Sequence, residues 1–384
     1  MNIAMICTEK LPVPPVAGGA VQLYIEGVLP YLSKHHRITV YSIQYPGLPD
    51  EEVGNNVRYV RIPGKTDTMY VNNLKARVEK SHDLVHIFNR PRTVLSLMPV
   101  LPDTRLSLSL HNEMFHPEKI SQEEGARCIK RVEFINTVSK FIADRVKNRF
   151  PSAAGKTNVV YSGANVTDYK PNWSAEGASN KHQLKKKYGL EDKKVVLFVG
   201  RLSQKKGVHT LLNAMKKVME ADPGAALVVV GSKWYGRNDS DDYTKSIMNL
   251  SKSLPGPIIF TGFIPPQSIP ELFNLGDIFV CASQWNEPLA RVHFEAMAAG
   301  LPIITTDRGG NAEVVDGYGN GLVIEEYRDC NVMADNIAFL LKNPQKALEM
   351  GKKGRLLVEK RFNWERVANE IFKSAIIYPK GDQL

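Results

Sequence analysis

Cysteine is scarce in this chain, with four residues in 384. Cys7, Cys128, Cys281 and Cys330 stand far apart and form no metal-type pair. A disulfide scaffold and a zinc ribbon are therefore excluded, and a reducing compartment fits best, where a thiol packs as a small hydrophobe. Long apolar runs are also missing. The apolar start of the chain is interrupted at Glu9 and Lys10, too early for a signal peptide. No later run approaches the ~18 residues of a membrane-crossing helix. These absences predict a cytoplasmic protein. No cluster of His or Cys announces a metal, and no G-x-G-x-x-G announces a dinucleotide, so neither metal nor cofactor is expected.

What the chain does carry is positive charge, +10 at neutral pH. That excess favours an anionic partner: a phosphorylated ligand, nucleic acid or an acidic membrane surface. Nucleic acid rests on net charge alone, since the basic run Lys185–Lys187 with Lys193 and Lys194 has no interleaved aromatics and reads as a solvated face. A length of 384 residues exceeds what one hydrophobic core usually serves.

Short apolar runs alternate with amphipathic stretches. Strands are predicted at 3–7, 38–43, 57–62, 84–88, 106–110 and 134–138, with helices at 20–33 and 139–150 among them. A polar stretch over 163–180 reads as a linker. The pattern restarts with strands at 195–199, 226–230, 258–260, 278–281 and 303–305. The runs are nearly all apolar rather than alternating, as parallel strands covered on both faces should be. The fold class is therefore α/β: two Rossmann-like, doubly wound parallel-sheet domains facing a cleft. Domain limits are placed at 1–168 and 169–362, followed by an amphipathic helix over 363–384 that needs a surface to cover it.

Ligands bind beyond the carboxyl ends of such strands. After the first strand comes a proline-stiffened loop ending in Gly18-Gly19, where backbone amides can approach a ligand; a plain turn reads the same way. After the first strand of the second half stands Gly200-Arg201-Leu202-Ser203-Gln204-Lys205-Lys206-Gly207. An arginine fork and a compact lysine charge suit a diphosphate, and equally suit a solvated basic turn. Glu287 and Glu295 bracket a loop-to-helix transition that runs to Gly300-Leu301-Pro302. The amides near Ala290 to Val292 would open that helix towards phosphate. His111 follows a strand, unlike His86, which lies within one and reads as a satisfied core group.

Glu287-x7-Glu295 resembles the paired-glutamate motif of the family 4 retaining glycosyltransferases, which have the GT-B fold. The resemblance spans nearly the whole chain. It takes in Gly18-Gly19, His111-Asn112, Gly200-Arg201 with Lys206-Gly207, Asp307-Arg308-Gly309-Gly310-Asn311-Ala312-Glu313, and Phe362-Asn363-Trp364-Glu365-Arg366-Val367-Ala368.

The resemblance implies transfer of a sugar from a nucleoside diphosphate sugar, a UDP-sugar favoured, to a glycan, lipid or small-molecule acceptor. It assigns the donor diphosphate to Arg201 and Lys206, the ribose hydroxyls to Glu295 and the donor sugar to Glu287. It places His111 at the sugar near the reacting carbon, Gly18 and Gly19 on the phosphate and acceptor side, and Phe263 near the base. Leu289, Ala290 and Arg291 complete the donor-binding set, and the tail helix would cross back onto the N-terminal domain. The family's usual Phe-Gly is replaced by Leu289-Ala290, and Arg291 is an unusual addition. Asn165 stands where a linker aspartate is common. The segment 231–236 is similar to a branch that includes a bacterial spore coat protein, which implies cell-surface or spore-coat glycan synthesis and a peripheral membrane or coat association. Two rival readings share the fold: a nucleotide-sugar epimerase, and a nucleotide-binding scaffold without turnover.

Overall fold

The structure, a computed structural model, describes residues 1–233 and 241–377. The chain divides into two compact units. Met1–Gly163 with the segment from Trp364 onwards forms the first, and Ala164–Asn363 the second.

The first unit is built on strands β1 Asn2–Ile6, β2 Arg37–Ile43, β3 Glu51–Gly54, β4 Val57–Ile62, β5 Leu84–Phe88, β6 Arg105–Leu110, β7 Ile135–Thr137 and β8 Thr157–Val159. They lie in the order β3-β4-β2-β1-β5-β6-β7-β8. Every pair is parallel except β3–β4, where Glu51 stands opposite Val60. The polar edge strand β3 therefore makes this sheet mixed rather than wholly parallel, and its charge guards an open edge. All five residues of β5 are buried, as a strand covered on both faces requires.

Strand β6 alternates leucine with serine, and its register sets Ser107 beside His86. The His86 ring bonds the hydroxyls of Ser107 and Ser109, both at 2.7 Å. Burial pushes its pKa down to about 3, so it is a neutral core group.

The helix Trp364–Ile371 supplies the covered amphipathic face of the tail, burying Trp364, Val367, Ala368 and Ile371. Trp364 meets Tyr24 edge-on at 5.6 Å between ring centroids. Only glycine fits beneath it: a Cβ on Gly27 would lie 2.3 Å from the indole.

The second unit holds strands β9 Lys194–Val199, β10 Ala225–Val230, β11 Ile258–Phe260, β12 Ile278–Cys281, β13 Ile303–Thr306 and β14 Gly321–Ile324. Their order is β11-β10-β9-β12-β13-β14, parallel throughout. The chain winds in one direction from β9 to β11 and in the other from β12 to β14. The switch point, where such sheets take ligands, falls between β9 and β12. The stretch predicted as a linker over 163–180 is not linker throughout, because the helix Ala175–Tyr188 begins inside it. Ser174 caps that helix by accepting from the Gly177 amide at 3.1 Å. Its sequence is polar because Gly177 is its one buried residue.

All four cysteines are free thiols, and Cys7, Cys128 and Cys281 are buried. Among the described residues no helix is long and apolar enough to cross a membrane.

Candidate functional site

In the second unit the loops after β9 and β12 meet at the switch point. Gly207 closes the Gln204–Lys206 turn at φ 73°, and a Cβ there would lie 1.9 Å from the Ala282 carbonyl oxygen. Glycine lets the two loops touch, and their backbones are joined where the Gln284 amide donates to the Lys205 carbonyl at 2.8 Å.

Across this contact the Lys206 ammonium donates to Glu287 Oε2 at 2.7 Å. Ser283 Oγ and Trp285 Nε1 donate to the same oxygen at 3.1 and 2.8 Å. Glu287 is only 7% exposed. Burial works against its charge, but the Lys206 ammonium and the three hydrogen bonds outweigh that. The carboxyl therefore titrates below its ordinary range. This is a buried, ionised carboxylate held in one orientation.

The glycine-rich segment that follows β13 fixes the backbone of the same loop. The Gly310 amide donates to the Glu287 carbonyl at 2.8 Å. Gly309, at φ 64°, leaves no room for a Cβ, which would lie 2.0 Å from that oxygen. Asn311 Oδ1 accepts the Ala290 amide at 3.1 Å. The amide at Ala290 is therefore engaged inside the protein, and does not form part of a helix start turned towards phosphate. His293, fully buried, bonds the Ala290 carbonyl through Nδ1 at 2.8 Å and Thr305 through Nε2 at 2.9 Å. Burial brings its pKa down to about 4.

The second glutamate is held separately. Arg291 Nη2 donates to Glu295 Oε1 at 2.8 Å, one turn along the chain. The arginine that departs from the family pattern is thus the ion-pair partner of the carboxylate assigned to ribose. Leu289 is half-buried and Ala290 buried. Arg201 is half-buried, just after Gly200 at the end of β9. Phe263 follows Gly262, whose backbone bridges to Gly231. Beyond Gly231 and its two neighbours, Trp234, Tyr235 and Gly236 of the branch-like segment lie outside the described residues.

In the first unit Gly18 and Gly19 adopt φ 86° and 104°, and Gly19 opens the helix Ala20–Leu32. Gln22 on that helix braces the loop, donating to the Leu11 carbonyl and to Thr8 Oγ1 at 3.1 and 3.2 Å. The His111 ring stands edge-on to Tyr24 of the same helix, 4.6 Å between centroids. Its amide and that of Asn112 both donate to Asn89 Oδ1, at 2.8 and 3.1 Å. Asn89 is buried at φ 57° and shapes the His111 turn.

Ser283, Trp285, Asn311, His293 and Asn89 were not singled out as site residues from sequence. Trp285-x-Glu287 carried a readable signal, an indole donor two residues before a carboxylate. Asn311 and Asn89 act on loops 21 to 23 residues away, and His293 reaches Thr305 on β13. Among the described residues no group of three or more His, Cys, Asp or Glu side chains is placed to hold a metal ion.

Two α/β units with parallel-ordered sheets and loop sites at the strand ends define a GT-B protein. The same architecture appears in the crystal structure of Anabaena Alr3699/HepE in complex with UDP-glucose. The TM-score is 0.78 at 20% identity, covering 98% of this chain and 100% of that one. The glycosyl transferases group 1 model matches residues 180–357. Spore coat protein SA of Bacillus subtilis (strain 168) is 45% identical over 99% of this chain and 100% of its own length. YtcC of the same organism, provisionally named a glycosyltransferase, is 43% identical over 100% of this chain and 94% of its own. The chain belongs to the glycosyl transferases group 1 family.

Proposed function

We propose that this protein is a retaining, family 4 type glycosyltransferase that moves a sugar from a nucleoside diphosphate sugar, a UDP-sugar by preference, to a hydroxyl acceptor in cell-surface or spore-coat glycan synthesis. The observation that carries the reading is the pairing of half-buried Lys206 with buried Glu287 at the switch point of the second unit. An ionised carboxylate braced by three donors suits recognition of a sugar hydroxyl. The lysine beside it suits the charge of a leaving diphosphate, since an ammonium has three donors and can serve two acceptors at once.

In the transfer, the bond between the anomeric carbon and the phosphate oxygen breaks, and Arg201 and Lys206 neutralise the charge left on phosphate. The acceptor hydroxyl attacks the same face of the carbon, and its proton passes to the departing phosphate oxygen. Glu287 holds the sugar, and His111 supports it near the reacting carbon. Glu295, oriented by Arg291, takes the ribose hydroxyls, with Phe263 near the base. Leu289 and Ala290 line the sugar, and Gly18 and Gly19 line the phosphate and acceptor side. The UDP preference draws support from the UDP-glucose complex of the HepE neighbour. The coat setting draws on the coat-protein relative.

The test is incubation with UDP-, GDP- and ADP-sugars and a panel of hydroxyl acceptors, reading the anomeric configuration of the product by NMR. Retention of configuration is expected. Inverted product overturns the retaining mechanism, and donor isomerised without acceptor makes the protein an epimerase. Nucleotide binding without turnover of any donor leaves a coat scaffold.

A further inference from the structure

Lys205 and Lys206 are adjacent but serve different surroundings. Lys206 reaches Glu287, whereas the exposed Lys205 lies over the face of the Trp285 indole, 4.7 Å from its centroid. Lys205 and Trp285 both line a cavity of ≈ 530 Å³ within the second unit. Lys205, Trp285 and Arg328 line it, with His209 and Asn213 from the helix Val208–Ala221 and Gln284 from the loop after β12. Among the described residues that line it there is no carboxylate. The nearby Asp329 is turned to its own helix, accepting the Asn331 amide at 2.7 Å.

Two cations, neutral amides and a ring lining one cavity select an anion that also carries hydroxyls. The volume exceeds what a bare phosphate fills and lies within the range of small-molecule sites. A single indole, already covered by Lys205, makes no sandwich for a nucleobase. We infer that this cavity is a binding site for a phosphorylated monosaccharide, distinct from the donor site, that acts on Glu287 through Trp285. The phosphate lies between Lys205 and Arg328, and the sugar hydroxyls meet Asn213, His209 and Gln284. The indole is the shared element: Trp285 lines the cavity and its N–H donates to Glu287 Oε2. A ligand that shifts the indole therefore shifts the hydrogen bond on the carboxylate. The effect on transfer rests on the function proposed above.

Calorimetry on the full chain with glucose 6-phosphate, alongside glucose and inorganic phosphate, tests the site. Saturable binding of glucose 6-phosphate is expected, at least about 10-fold tighter than either fragment. It should persist in saturating UDP. Lys205→Ala and Arg328→Ala should each weaken it about 10-fold or more, the range for a lost charged hydrogen bond. Because Lys205 is exposed, its variant keeps the fold, and Arg328→Lys should restore part of the affinity. Equal binding of phosphate alone, displacement by UDP, no binding, or unchanged affinity in both alanine variants overturns the site. None of these readouts requires transfer, so they are separable from failure of the enzyme reading. Where transfer is measured, glucose 6-phosphate should change the KM for donor in the parent and not in Trp285→Phe. An equal change in both overturns the indole link.

Discussion

Lys206 and Glu287, 81 residues apart, are joined by a 2.7 Å hydrogen bond that ties the loop after β9 to the loop after β12. With side chains only 20% and 9% exposed, the pair is shielded from the screening that weakens surface ion pairs. Removing Lys206 leaves the buried Glu287 carboxylate without its cation, so the bond matters to the fold as well as to the chemistry.

Lys206→Ala should therefore have two effects. Transfer should fall by about 10²–10³-fold, since losing one charge partner of the transition state costs roughly 3–4 kcal/mol. The Glu287 carboxyl, deprived of its cation, should take up a proton nearer neutrality, and the melting temperature should drop. Arg201→Ala should show the kinetic loss with a smaller change in melting. Steady-state rates and calorimetric melting measure both, and parental activity in the two variants would remove the clamp from the mechanism.

The buried histidines give a stability prediction with a definite sign. His293 has its pKa lowered by burial from 6.5 to about 4, and His86 is lowered to about 3. Between pH 6.5 and about 4 the unfolded chain binds a proton at His293 and the folded chain does not. Stability is thus fully present above pH 6.5 and declines as pH falls to about 4, by about 3 kcal/mol from this one group. His86 adds loss in the same direction. In NMR spectra at pH 5 the rings of both should still show neutral shifts. Protonated shifts for either at that pH would refute its assignment as a neutral core group.

Metal independence is the third expectation. Asp239-Ser240-Asp241 is an Asp-x-Asp triplet, and Asp239 and Ser240 lie outside the described residues. Asp241 is engaged in the protein, accepting the Thr244 amide at 2.8 Å and pairing with Lys233 at 3.1 Å. In the proposed mechanism Arg201 and Lys206 supply the charges for the leaving diphosphate. Transfer should persist in excess chelator. Full loss that Mg²⁺ or Mn²⁺ reverses would mean a metal carries part of that charge.

Most strands were legible because parallel strands such as Ala225–Val230 must be apolar on both faces, and such runs stand out. Strand β3 was not, because Glu51–Gly54 is a polar edge without that signature. The helix from Ala175 was obscured by its polarity, although Ser174 three residues before Gly177 is a capping signal. In the site, residue types following strands could be read, but their partners could not. That Asn311 takes the Ala290 amide, or that His293 ties Ala290 to β13, depends on strands brought side by side by the sheet. Arg291 appeared as an unusual addition to the family pattern, and its pairing with Glu295 follows from the four-residue spacing of a helix.

The two glutamates separate an enzyme from a scaffold. Glu295 lies one turn beyond Arg291, with the ion pair holding its carboxylate in place. As the proposed ribose ligand it acts far from the reacting bond, so Glu295→Gln should mainly weaken the donor and the free nucleotide. A lost hydrogen bond to a charged group is worth about 1.5–3 kcal/mol, or roughly 10- to 150-fold in affinity. Arg291→Ala should lower nucleotide affinity in the same direction, because Glu295 loses the partner that orients it. Glu287 is assigned to the sugar, so Glu287→Gln should leave binding of the bare nucleoside diphosphate near the parental value while transfer falls steeply. The amide keeps the shape of the carboxylate but not its charge on Lys206. Calorimetry with UDP and GDP, run beside steady-state transfer, reads the two effects independently. If both glutamine variants bind nucleotide like the parent and the parent itself transfers from no donor, the glutamates are structural and the chain is a scaffold.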